Sequence, residues 1–194
     1  DGADGWGDGF LSNTGPTAGQ WSKIIFPDMD NGATTAAFTF ECKLRVGNGA
    51  ADPADGFSLN YARATDPTFT KDGNGNYQAG GWSGTQNEPG STSGSMAGLA
   101  EEGTLTGLAI GFDAWQSNSQ MWPLDLIAGL YDVIGISVRV DNKIVTQVSL
   151  PSKNTTCEDA TSLQTGPRNT ADPTDWSVIC WAPFKVQLTE DKHL

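Results

Sequence analysis

Hydrophobic and polar residues alternate strictly between positions 38 and 46 of the chain. Every even-numbered residue there is apolar or cysteine, and every odd-numbered one is threonine or charged. A period of two places successive side chains on opposite faces of a strand. We therefore predict a strand from Phe38 to Val46, with a wet outer face and with the Cys42 thiol buried in the core.

The same alternation recurs along the chain and predicts further strands. A two-residue turn at Asp141-Asn142 separates two of these strands and indicates a hairpin. No segment repeats its apolar residues at helical spacing, so we expect little helix. The further strands are predicted over Phe57 to Tyr61, Leu108 to Ala114, Ile134 to Val140, Lys143 to Leu150 and Phe184 to Leu188.

Composition fits a single all-β domain over residues 1–194. The 194 residues include 24 glycines and 10 prolines, and only 18% are charged. These proportions favour short strands joined by tight turns, and the length suits one β-sandwich. Two long regions rich in polar residues, 62–104 and 151–175, are predicted to be loops on this sandwich.

Charge and cysteine content indicate the environment of the protein. Asp and Glu number 23 against 11 Lys and Arg, for a net charge of -12. This charge disfavours nucleic acid and anionic membranes as partners. No apolar run approaches the roughly 20 residues of a membrane-spanning helix, so no membrane insertion is expected. Cys157 and Cys180 flank a loop-rich region, where either a disulfide or two free thiols fits the sequence.

Three sequence blocks carry a resemblance to a known superfamily. They are Ala54-Asp55-Gly56-Phe57-Ser58-Leu59, the run from Leu108 to Trp115, and Ile134-Gly135-Ile136-Ser137-Val138. Together they resemble L-type lectins of the concanavalin A-like lectin/glucanase superfamily. With Glu101-Glu102-Gly103-Thr104, they are more similar still to the lectin-like (LamG-like) domains of large secreted bacterial proteins. The resemblance covers roughly residues 24–150 and implies a jelly-roll β-sandwich of two antiparallel sheets, secreted or at the cell surface.

The resemblance also implies a sugar site. In these lectins the aspartate of the Ala-Asp-Gly block contacts the sugar, a role that would fall to Asp55, although an Asp-Gly pair also simply begins a tight turn. Tryptophan rings stack on sugar faces, while Asp and Asn bind the hydroxyls. The predicted glycan contacts are Asp55, Trp82, Asp113, Trp115, Asn118 and Trp122.

The metal sites of the lectins are only partly matched. Gly111 and Val133 stand where these lectins carry a glutamate and a histidine, so the transition-metal site is predicted to be lost. Calcium requires six to eight oxygen ligands. By analogy Asp113, Asn118 and Asp125 would supply some of them, and calcium is the cofactor that the resemblance implies.

The sequence does not support catalysis. The Glu-x-Asp-x-x-Glu strand of the related glucanases is absent, and the neighbours Glu101 and Glu102 would point to opposite faces of a strand. The single histidine, His193, lies beside the last residue of the sequence. We therefore predict a non-catalytic glycan-binding module of a larger secreted protein. The alternatives are a structural or protein-interaction sandwich and, third, a glycoside-active enzyme.

The last residues of the sequence concern whether the predicted sandwich has all of its strands. A turn is predicted at Glu190-Asp191-Lys192, and related sandwiches continue with at least one more strand after such a turn. We therefore expect either a domain that lacks its last strand or strands, or a last strand supplied from elsewhere, since open sheet edges are rarely tolerated.

Overall fold

The structure is a computed structural model, and it describes the strands together with the segments that adjoin them. The described residues are 22, 24–26, 28, 31–44, 46, 56–66, 69, 103–115, 133–141, 143–150, 182–191 and 193–194. Within this part of the chain the regular structure is all β, with no α-helix, and nothing in it is a helix long and apolar enough to cross a membrane. The fold is therefore all-β in the part that the structure describes, as the sequence predicts.

Six strands form two antiparallel sheets. The strands β1 and β6 make a two-stranded sheet, and the others make a four-stranded sheet in the order β2-β3-β4-β5. The bounds are β1 Phe38–Leu44, β2 Gly56–Tyr61, β3 Leu108–Asp113, β4 Gly135–Val140, β5 Lys143–Ser149 and β6 Ala182–Leu188. Each lies in a predicted stretch, with ends shifted by up to two residues.

The core lies between the two sheets. The rings of Phe57 and Phe112 on the four-stranded sheet stack 4.6 Å apart. Phe184 of β6 meets both rings edge-on, with centroids 5.9 Å and 4.9 Å away. Ile110 and Val186 complete the buried centre of this cluster. Sheets that meet through their apolar faces in this way have the character of a β-sandwich.

Cys42 does not occupy the core position that the alternation predicts. Its thiol is exposed, and partial desolvation raises the pKa of the thiol. Its cross-strand neighbour Phe184 reaches the aromatic cluster, whereas Cys42 is not among the residues that pack there. The prediction of a buried thiol was wrong because period-two alternation gives the side of a strand, not the depth to which a short side chain reaches.

A bulge changes the face that part of β5 presents. Val138 lies opposite Thr146 and Arg139 lies opposite Ile144, so Val145 has no partner in the ladder. An extra residue of this kind reverses the side-chain alternation beyond it. Ile144 consequently shares the face of Arg139, away from the core, and is buried there.

Candidate functional site

The four-stranded sheet carries a polar face opposite the aromatic core. On β3, Ala109, Gly111 and Asp113 point away from the side of Ile110 and Phe112, as the alternation predicts for Asp113. The neighbouring strands add small or polar residues to this face by their register with β3. These are Gly56, Ser58 and Asn60 on β2, and Gly135, Ser137 and Arg139 on β4.

Asp113 and Trp115 form one corner of the polar face, where β3 ends. The Oδ1 oxygen of Asp113 accepts a hydrogen bond of 2.8 Å from the backbone N–H of Trp115. Asp113 is only 8% exposed, whereas Trp115 is 46% exposed. The two predicted site residues that the structure describes are therefore adjacent, with the carboxylate buried and the indole open to solvent.

The surroundings of Asp113 on the sheet carry little side-chain bulk. Its two cross-strand partners are Gly56 on β2 and Gly135 on β4. Gly111, two residues earlier in β3, lies on the same face. Gly135 cannot carry a side chain, since a Cβ atom there would come within 2.0 Å of the Val148 carbonyl oxygen. The sheet therefore surrounds this carboxylate with backbone on three sides.

The opposite end of the polar face is covered by the chain itself. The backbone N–H of Thr104 donates to Oδ1 of Asn60 over 3.1 Å, and the Asn60 amide donates to Ser58 Oγ over 2.9 Å. A Cβ atom on Gly103 would come within 3.0 Å of that of Ala109, so residues 103–104 lie directly on the sheet. Arg139, on the same row, is also buried. At the Asp113 end of this face Asp113, Gly111 and Gly135 are buried too, so the exposed surface at this corner is that of Trp115.

The other predicted site residues lie outside the described part of the chain. Asp55, Trp82, Asn118, Trp122 and Asp125 are all in this category, as are Glu101 and Glu102. Cys157 and Cys180, which the sequence left as either a disulfide or two free thiols, lie outside it too. Their roles remain predictions.

Among the residues that the structure describes, Asp113 is the one predicted calcium ligand. Among the described residues no group of three or more His, Cys, Asp or Glu side chains is close enough to hold a metal ion. Asp113 supplies one carboxylate towards the six to eight oxygens that calcium needs, and Oδ1 of that carboxylate already accepts the Trp115 amide. Asn118 and Asp125, the other predicted ligands, belong to the residues that the structure does not describe.

A second polar cluster, at the far end of β3 from Asp113, was not predicted from the sequence. Asp66 is fully buried, and its Oδ2 accepts hydrogen bonds of 2.7 Å from both the N–H and the hydroxyl of Thr106. Arg63 binds Asp141 through two hydrogen bonds of 2.6 Å and 3.1 Å. Asp141 also accepts the Gly107 N–H over 2.9 Å. These bonds hold three loops together.

Electrostatics in this cluster follow from its hydrogen bonds. The bond from Arg63 is the main reason that the pKa of Asp141 lies below its ordinary value, and the Gly107 N–H adds to the effect. The same pair raises the pKa of Arg63. Because both side chains are exposed, the pair fixes geometry more than it adds stability. No short motif marks it, since the partners are 78 residues apart.

No family model matches the chain, and no match to it is found among curated proteins or solved structures. The resemblance to lectin-like domains accordingly rests on the sequence blocks, and function has to be argued from the site.

Proposed function

We propose that the protein is a non-catalytic carbohydrate-binding module with a concanavalin A-like jelly-roll sandwich. The observation that carries the proposal is the exposed side chain of Trp115, whose backbone N–H donates to the buried carboxylate of Asp113 at the end of β3. In keeping with the sequence resemblance and the acidic composition, we place it in a larger secreted or cell-surface protein, with a glycan or polysaccharide as its partner.

An exposed ring beside polar groups suits sugar recognition. The apolar face of a pyranose packs on an aromatic ring, and such contacts contribute through both buried area and geometry. Hydroxyl groups need hydrogen-bonding partners at the rim of that contact. The predicted contacts Asp55, Trp82, Asn118 and Trp122 would extend this site.

The metal content of the site is proposed separately. The resemblance implies calcium held by Asp113, Asn118 and Asp125, whereas the hydrogen bond from Trp115 gives the Asp113 carboxylate a role without metal. We favour the metal-free form, because the hydrogen bond from the Trp115 N–H to the Asp113 carboxylate involves these two residues and no metal ion.

The test is a screen of glycan binding with soluble dextran, mannan, xylan and pectin and a glycan array. The screen is run once with calcium and once with EDTA. We expect binding that persists in EDTA and weakens about tenfold or more in Trp115→Ala, since one stacking contact together with the apolar area it buries is worth roughly 1.4 kcal/mol or more. Phe26→Ala is the matched control, because Phe26 is also an exposed aromatic residue but lies against Phe40 of the other sheet.

Other outcomes of the screen separate the remaining proposals. Binding that requires calcium and disappears in Asp113→Ala would favour the metal site over the metal-free form. Binding that is equally strong in Trp115→Ala and the wild type would contradict a site at this corner.

A structural or protein-interaction sandwich is the second candidate. The burial of Ala109, Ile144 and Arg139 on the polar face favours it, since a covered sheet face offers no groove to a polysaccharide. A folded 194-residue protein that binds none of the glycans, with or without calcium, would support this candidate against the first.

A further inference from the structure

We propose that Asp113 is a positioning residue that fixes the backbone of Trp115 beside the end of β3, and that it acts through this hydrogen bond without a metal ion. The inference rests on the proposed function for its purpose, because it assigns the part that each residue plays in the same site. The hydrogen bond between Asp113 and the Trp115 N–H, however, belongs to the free protein and can be measured without a glycan.

The local geometry is that of an aspartate side chain closing a turn. The Asp113 Oδ1 oxygen accepts the N–H of the residue two positions later, at 2.8 Å. Asp and Asn favour this arrangement because their short side chains replace a backbone acceptor in a turn. Trp115 begins the departure of the chain from β3, so this bond sets the path of the first residues beyond the strand.

The anchor is rigid on the strand side. Asp113 is the last residue of β3 and is registered against Gly56 on one side and Gly135 on the other. A backbone paired to both neighbours has little freedom, and the buried carboxylate transfers that constraint to Trp115. The backbone that carries the exposed Trp115 side chain is thereby held at the end of a central strand.

The constraint that Asp113 places on Trp115 affects the affinity for a ligand. A side chain on a backbone that is already fixed loses less conformational freedom when a ligand packs on it, which strengthens binding without adding a contact. An acceptor is all that this role requires of residue 113. Asparagine provides the same Oδ1 acceptor but lacks the negative charge that an aspartate would contribute to a calcium site.

The experiment compares wild type, Asp113→Asn and Asp113→Ala in the 194-residue chain by amide hydrogen exchange. Its second readout is the position of the Trp115 indole N–H signal, assigned from its absence in Trp115→Phe. We expect exchange of the Trp115 amide to be unchanged in Asp113→Asn. In Asp113→Ala it should be about tenfold faster, because its acceptor is lost. Addition of calcium chloride alone should leave the indole signal of the wild type in place.

Three results would overturn the inference. One is an unchanged Trp115 amide in a folded Asp113→Ala. Another is an Asp113→Asn variant that exchanges as fast as the alanine variant. The third is an indole signal that moves with calcium in the wild type but not in Asp113→Asn, which would make Asp113 a metal ligand. If Asp113→Ala does not fold, amide exchange in Asp113→Asn and the response of the indole signal to calcium still test the inference. None of these measurements depends on whether a glycan binds.

Discussion

Single glycines determine how closely the loops of this protein approach its strands. Gly107 has a φ of +72°, and a Cβ atom there would lie 2.3 Å from the Tyr61 carbonyl oxygen. Gly32 has a similar φ of +77° but has no atom within 4 Å of a Cβ position. The two positions therefore share the same left-handed backbone and differ only in the space around it.

This pair gives a matched prediction. Gly32→Ala should lower the free energy of unfolding by about 1 kcal/mol, which is the cost of placing an L-residue at positive φ. Gly107→Ala adds a clash with backbone and should cost about 3 kcal/mol or more. Urea unfolding of both variants measures the difference. Equal losses would show that the loop from 103 to 107 is not held against β2 as described.

The sequence predicted some properties of individual residues and not others. Alternation placed Asp113 on the face away from Phe112, because a strand's period of two depends only on local geometry. It could not indicate that the Asp113 carboxylate is buried, nor that Cys42 is exposed. Burial depends on which segments lie over a face, and residues 103–104 reach Asn60 from 43 and 44 positions away in the chain.

At the scale of elements, the hairpin of β4 and β5 depends on Asp141. This residue has a φ of 47°, accepts bonds from Arg63 and Gly107, and donates its own N–H to the Gly107 carbonyl over 2.8 Å. A turn residue that tolerates positive φ is required here, and Asp and Asn are suited to that conformation.

The charge of Asp141 predicts a pH dependence. Its folded-state pKa is lowered, chiefly by Arg63, so its contribution to stability is complete above the unfolded-state pKa and is lost as the pH falls through the folded-state value. Asp141→Asn keeps the turn and the amide acceptor but removes the charge. We expect the wild type to have the higher melting temperature at pH 7, with the difference shrinking below about pH 4.

Salt provides the control for this pH prediction. The pair is exposed, so 0.5 M sodium chloride should reduce the difference at pH 7 by screening. A melting-temperature difference that stays constant from pH 7 to pH 2 would mean that the Arg63–Asp141 pair does not contribute through its charge.

The strands themselves were largely predictable from the sequence. All six lie in stretches where apolar and polar residues alternate, and Asp141 lies in a turn between β4 and β5, where the composition indicated one. The bulge at Val145 was not predicted, because Ile144 and Val145 are equally apolar and only the pairing with Arg139 shows which one leaves the ladder.

At the scale of the whole molecule, the two sheets are joined by aromatic packing. Phe112→Ala should lower the free energy of unfolding by about 3–5 kcal/mol, since it removes a buried ring that contacts Phe57 and Phe184. Phe26→Ala, at an exposed position, should cost less than about 1 kcal/mol. Chemical unfolding measures both. A small loss in Phe112→Ala would mean that the contact between the sheets does not stabilise the fold.

The arrangement of the sheets was not predictable from the alternation of apolar and polar residues. Alternation identifies strands one at a time, but it does not show that β1 pairs with β6, more than 130 positions away in the chain. Such pairing depends on contacts between distant segments, which a local pattern does not contain. In the candidate site, too, only contacts between residues close in sequence could be predicted. Trp115 and Asp113 are neighbours in sequence and were predicted together, whereas the Asp66 and Arg63 contacts join distant loops.

We propose that the exposed side chain of Trp115, beside Asp113 at the end of the polar sheet face, binds a glycan. Titration of wild type and Trp115→Ala in EDTA, with the polysaccharide that binds wild type most strongly, tests it most directly. We predict that the dissociation constant rises about tenfold or more in Trp115→Ala and is unchanged in Phe26→Ala. Equal affinity of Trp115→Ala and wild type, or no binding by the folded wild type to any polysaccharide, would contradict the claim.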